Sequence, residues 1–363
     1  MTTDAVSLGS APAARRLRLP TEQLLPLGAL VGALGVGLLL VRATGVPVRE
    51  ALAAFWDGIG GSSFALVGSV NHGVPLALVG LGYILSERAN LTNVGGEGQI
   101  CVGGICATAA SLSWGAGKLP GALAFLFPLL AGTLAGALWG AFAGVLKARR
   151  GSNEVITTLL LTFIALQMVY GSVQSVHLLR QPMSDSATLP ESLEIPAATQ
   201  LPVLTKGSGL PLHIGLAIEI LIAVLVAVCL ARSAIGLELR AVGLNETASR
   251  RAGLPVERLV IGALAASGGL AGLAGAIMIQ GDQHYLTSGF SSGFGFDGLV
   301  VGLLARGSAT AVVLFALLFG CLRSGGMSME MSAQVPSAIV VVCQGVMVVA
   351  IATAAAMSRR QRR

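Results

Sequence analysis

The sequence predicts an all-α polytopic membrane protein of about ten transmembrane helices. Three observations predict it: of 363 residues 54% are hydrophobic and only 11% charged, mean hydropathy is +0.81, and the apolar residues gather in long runs. A soluble domain carries roughly a quarter of its residues charged, whereas a helix needs about 20 apolar residues to cross about 30 Å of hydrocarbon. The net charge of +6 does not point to nucleic acid, because the basic residues sit at the ends of the runs rather than on one face. That placement suits membrane orientation and anionic lipid.

In chain order the predicted spans are 24–43, 69–86, 98–115, 120–146, 155–177, 211–231, 258–281, 296–306, 308–323 and 336–357, within a membrane domain of 21–357. The first follows Arg15-Arg16, as a signal sequence would, but it is longer than a signal core and has no small-x-small cleavage site. It reads as a retained helix behind a disordered cytoplasmic tail, 1–20. The second and third flank a polar stretch, SERANLTNVGGEGQ at 86–99. The fourth carries Gly132, Gly136, Gly140 and Gly144 at four-residue spacing, and the seventh carries Gly268, Gly272 and Gly275. Such small-residue faces let helix backbones approach closely, a scaffold role. The fifth starts after Gly151-Ser152-Asn153-Glu154, and a nearly neutral Pro/Ser/Thr-rich external loop, 178–210, joins it to the sixth. A charged loop, 232–257, separates the sixth from the seventh. The eighth and ninth are short and divided near Arg306-Gly307, so they read as half-helices or one broken element. The tenth leads into a basic tail, 358–363.

Placing both termini in the cytoplasm puts 17 of the 23 basic residues inside and leaves Arg42, Arg49, Lys118, Arg180, Lys206 and Arg323 outside. The positive-inside bias favours that orientation. Cys101, Cys106, Cys229, Cys321 and Cys343 all fall within predicted spans, and the four histidines are scattered singly. Neither set has metal-ligand or disulfide spacing.

Two polar stretches are candidates for a path across the membrane. Asn93, Glu97 and Gln99 lie between apolar spans where Gly95, Gly96 and Gly98 interrupt regular helix. Charge and irregular backbone at membrane depth are tolerated where they line a cavity or are buried in protein, and the plain alternative is a solvated turn. Asn153 and Glu154 can cap the fifth span or face the same path. In the loop 232–257, Asn245 is a good N-cap, Gly253 a good stop and Pro255 a bar to continuation, so a short helix is expected over 245–253. Arg250 and Arg251 are placed to meet acidic groups on a partner; lying flat on anionic lipid is the alternative.

The blocks ERANLTNVGGEGQI (87–100), GSNEVITTLLLTFIA (151–165) and RAVGLNETASRRAGLPVERLVIGALAASGGLAGLAGA (240–276) together resemble permease subunits of bacterial ABC importers of the branched-chain amino acid and simple sugar group. The resemblance is closest to the subfamily that takes up nucleosides with a basic membrane lipoprotein as receptor. It implies a type II importer permease in the cytoplasmic (inner) membrane, multi-pass, moving a nucleoside or simple sugar by alternating access. It also implies that Arg240, Gly243, Asn245, Arg250, Arg251 and Gly253 belong to the coupling segment that docks on an ATPase. The partners implied are an ABC ATPase with duplicated nucleotide-binding domains, a second homologous permease and an external lipoprotein solute receptor.

No GxxxxGK[ST] loop occurs in the sequence, so ATP and Mg are expected on the partner ATPase, with no cofactor in this chain. The competing class is an ion-coupled secondary transporter, which would carry ionisable groups in mid-span. Glu219 is the clearest acidic candidate for that role. A membrane enzyme would need a convergent catalytic set, which the sequence does not display.

Overall fold

The computed structural model describes residues 32, 35–113, 115–182, 189–205, 210–346 and 349. The predicted tails 1–20 and 358–363, and parts of the first and tenth spans, lie outside the described residues. Helix α1 covers 35–43, followed by α2 (Val48–Gly60), α3 (Ser63–Glu87), α4 (Gly96–Leu112), α5 (Ala122–Arg150), α6 (Glu154–Gln174) and α7 (Gly215–Arg232). Two short helices come next, α8 (Ala234–Leu244) and α9 (Glu246–Arg251), then α10 (Val256–Ile277), α11 (Phe294–Ala305), α12 (Ala309–Ala333) and α13 over 338–346. Six of these, α3, α5, α6, α7, α10 with its extension to Gln283, and α12, are long and apolar enough to cross a membrane.

Local chemistry sets the boundaries. Ser62, Asn153, Ser233, Asn245 and Ser308 each accept a backbone N–H from two or three residues on, satisfying donors that the first helical turn leaves unpaired. Helix α5 ends on Gly151 at φ 65°, with Lys147, Arg149 and Arg150 in its last turn where the helix dipole favours cations. Arg306 and Gly307, at φ 50° and 80°, break the chain between α11 and α12.

Two elements differ from the sequence expectation, and α11 is the half-helix that expectation allowed. The segment predicted at 308–323 is the first part of a 25-residue helix, α12, because the Ser324-Gly325-Gly326 stretch that ends the apolar run is used for packing. Gly325 lies against Phe55 and Gly326 against Val340. Helix α11 has 12 residues, so it rises about 18 Å and cannot cross the hydrocarbon alone. The amphipathic α2 has no counterpart among the predicted spans; it buries Ala51, Ala54 and Gly58 and leaves Leu52 and Trp56 exposed.

The bundle is centred on α3 and α10, whose apolar stretches are 61% and 72% buried, against 22% for α7, which lies outside them. The glycine ladder of α5 lies on α10. A Cβ at Gly136 would collide with the backbone of Gly268 and Gly272, and one at Gly144 would stand 2.8 Å from the Cα of Ile261. The α3–α5 and α10–α12 triplets run in opposite senses. Helix α10 begins where α3 and α5 end, in a cluster of Ala89, Leu91, Leu239, Val242, Val256 and Leu259 packed on Ala148. The far end of α12 meets α1, α2 and α13 in a cluster of Val41, Ala51, Ala54, Met329, Val335 and Val340. In each triplet a long buried helix is followed by an irregular segment, 88–95 or 278–293, and then by a helix that starts inside the bundle. Met278–Gln283 is itself a π-helical turn. This is the inverted-repeat arrangement in which transport sites are built at mid-depth from interrupted helices. The 178–210 loop is tied to this far side, with Ser192, Ile195 and Leu201 donating to the carbonyls of Leu286, His284 and Gln280.

Candidate transport and coupling sites

Two groups of candidate residues stand out, one at the end rich in basic residues and one inside the bundle. At the basic end the short helix expected over 245–253 is α9, capped by Asn245, and a second helix, α8, precedes it in the loop. The Asn245 φ of −159° separates the two helices while its side chain accepts from Ala248 N at 2.9 Å. Gly253, at φ 84°, reverses the chain before Pro255 and α10. Arg250 lies 3.4 Å from both Glu246 and Glu257, all three side chains more than half exposed. Arg251 is exposed and has no ion-pair partner among the described residues. Arg240 is exposed as well.

Helix α8 sits directly on the turn that leaves α3. A Cβ at Gly243 would collide with the carbonyl of Arg88 and come within 3.0 Å of the Ala89 carbonyl carbon and 3.1 Å of Asn90 N. Asn90 is itself left-handed, at φ 58°. On either side of this contact are cavities of about 220 Å³, lined by Lys147, Asn245 and Arg250, and about 590 Å³, lined by Arg88, Arg240 and Arg306. Asn153 and Glu154 belong to this end too. Asn153 is an exposed cap for α6, and Glu154 is paired with Lys147 at 2.8 Å.

From Asn90 the chain climbs into the bundle. Val94 N donates to Thr158 Oγ1 on α6. The Asn93 amide donates to Gln99 Oε1 at 2.9 Å and to Ser267 Oγ on α10 at 2.8 Å, and its Oδ1 accepts from Gly95 N. Glu97 then reaches the second interrupted helix: its carboxylate accepts from Gly293 N at 2.9 Å and Gly295 N at 2.6 Å. A carboxylate satisfies the orphan donors and positive dipole end of α11, which is why the charge is tolerated there. The two helix starts touch, since any Cβ at Gly295 would collide with the backbone of Glu97. Asn93, Glu97 and Gln99 are each at most 5% exposed, and around the start of α4 Asn93 bonds Gln99 and α10 while Glu97 bonds the start of α11.

Sequence reasoning missed the far side of this junction. Arg323, expected at the outer end of the ninth span, lies inside α12, about 21 Å along it. Its guanidinium bonds Asp297 Oδ2 at 2.9 Å and the Ser292 carbonyl at 2.6 Å, and it stacks 3.8 Å from the centre of the Phe294 ring. Nearby, Asp282 in the π turn lies 3.4 Å from the Asn71 amide and 3.5 Å from His213 Nε2. An acid in the first turn of α11, Asp297, together with a lone arginine in an otherwise helical run, was the available signal. Among the described residues no group of His, Cys, Asp and Glu is arranged to hold a metal ion.

Comparison with known proteins places this geometry. The family model for the permease component of branched-chain amino acid transport systems matches residues 65–352. The chain is 32% identical over 335 residues to a guanosine ABC transporter permease protein of Bacillus subtilis, covering 92% of this chain and 94% of that one. It is 32% identical over 345 residues to a glucose ABC transporter permease protein of Haloferax volcanii, covering 90% and 86%. A nucleoside ABC transporter permease protein of Lactococcus lactis is 30% identical over 327 residues, covering 88% of each. No solved structure matches the chain.

Proposed function

The chain belongs to the family of permease components of branched-chain amino acid transport systems, and from that premise we propose how it works and what it moves. It is a multi-pass membrane protein and the permease subunit of an ABC importer. The solute is a nucleoside or simple sugar, following the relatives named for guanosine, nucleosides and glucose.

The observation that carries the mechanism is the unbroken contact from α8 to the middle of the bundle. Gly243 lies on the 88–90 turn, that turn continues into the Asn93–Gln99–Ser267 network, and Glu97 ends the series on α11. An ATPase with duplicated nucleotide-binding domains docks on α8 and α9 through Arg240, Arg250 and Arg251, and holds the ATP and Mg. Its closure moves α8, and the interrupted helices α4 and α11 follow, opening one side and closing the other. The basic end faces the cytoplasm and ten crossing elements, α4 and α11 among them, leave both termini there. A second homologous permease completes the path along the Asn93, Glu97 and Gln99 side of the junction, with Asn153 and Glu154 at its cytoplasmic mouth. A lipoprotein receptor delivers solute at the opposite end.

Uptake of radiolabelled guanosine and glucose, measured in cells with and without this chain, tests the reading. Guanosine uptake that needs the chain and stops on ATP depletion is expected. Uptake that survives ATP depletion and collapses with an ionophore would establish the secondary transporter instead, with the buried Glu219 of α7 as its first suspect.

A further inference from the structure

A cavity of about 330 Å³ lies between α12 and α13, bounded by Ser292, Arg323, Met327, Val340, Val341 and Gln344. That volume falls in the range of small-molecule sites, roughly 300 to 1,000 Å³. Gln344 is only 6% exposed, yet its carboxamide makes no hydrogen bond among the described residues. Its polar atoms are not fully enclosed, so the carboxamide offers both donors and an acceptor to a group that fills this space. Arg323 stands on the cavity wall as well, and Asp297 and the Ser292 carbonyl leave part of its guanidinium donor set free.

We propose that this cavity is a subsite for the nucleobase of a transported nucleoside, an inference that rests on the importer reading above. Three features select that chemistry. A carboxamide and a guanidinium are the side chains that pair with the alternating donors and acceptors on a base edge, the guanidinium with the two adjacent acceptors of guanine. Met327, Val340 and Val341 supply apolar surface for the faces of a flat ring, which a sugar hydroxylated all round does not offer. Finally, the charge of Arg323 is already balanced by Asp297 at 2.9 Å, so the site calls for a neutral polar ring and not for a phosphate.

The test uses the full importer, reconstituted with its ATPase and receptor, and photolabelling with 8-azidoguanosine. Label is expected on peptides containing Arg323 to Gln344, displaced by guanosine but not by glucose or guanosine monophosphate. Gln344→Leu, and Met327→Trp as an independent filling of the cavity, should each lower both labelling and guanosine uptake at least tenfold at unchanged membrane abundance. Label confined to other helices, or guanosine uptake unaltered in Met327→Trp, would overturn the subsite while leaving the importer reading intact. Displacement by glucose would overturn the nucleobase assignment. Absence of any nucleoside uptake by the unaltered importer would overturn the importer reading's solute and the subsite with it.

Discussion

The basic end and the mid-bundle junction solve opposite problems with similar residues. At the basic end Arg250 meets Glu246 and Glu257 at 3.4 Å with all three side chains more than half exposed. At the junction Glu97, 3% exposed, holds two backbone amides at 2.9 and 2.6 Å. Exposed pairs contribute about 0–1 kcal/mol and are easily exchanged for a partner's groups. Buried charge-assisted bonds contribute more and are expensive to break. On the proposed mechanism, the difference separates a surface open to a docking partner from a core that stays joined as it moves.

Substitutions can break or sharpen that contrast. The largest loss of stability is expected from Gly136→Val, which forces a branched side chain into the backbone of Gly268 and Gly272. It should cost about 3 kcal/mol, with the protein lost from the membrane or melting far earlier in detergent. Glu97→Leu removes the cap from α11 and strands two amides, at about 2 kcal/mol, and uptake should be abolished even where the protein survives. Normal uptake by Glu97→Leu would deny the junction any role in transport. Asn153→Ala removes the α6 cap and should lower thermal stability by about 1 kcal/mol. Arg250→Glu with Arg251→Glu should alter stability least, by about 0–1 kcal/mol. Uptake should nevertheless fall and the ATPase should no longer co-purify. Full uptake in that double variant would remove α9 from the docking surface.

What the sequence could reveal follows the range of the interactions concerned. Asn245 and Gly253 were legible as cap and stop because capping acts within one turn, and the α5 ladder because its period is local. Asn93, Glu97 and Gln99 stood out as polar groups at membrane depth, but their partners did not. Glu97 reaches residues almost 200 positions away, and nothing near it in sequence points to Gly293 or Gly295. Helix α12 was cut short because Arg323 and the glycines after it resemble a loop, although tertiary partners from α2, α11 and α13 keep that stretch helical. Helix α2 escaped because its apolar face is too narrow to make a continuous run.

In the proposed mechanism α8 drives the interrupted helices through its seat on the 88–90 turn, and Gly243→Val strikes at that seat. The substitution meets the Arg88 carbonyl while leaving Arg240, Arg250 and Arg251 in place for docking. Solute uptake and ATP hydrolysis would be measured together on the reconstituted importer. The expected result is an assembled complex that still hydrolyses ATP while uptake falls about tenfold or more, as when two sites lose their coupling. Uptake unchanged in Gly243→Val would contradict it.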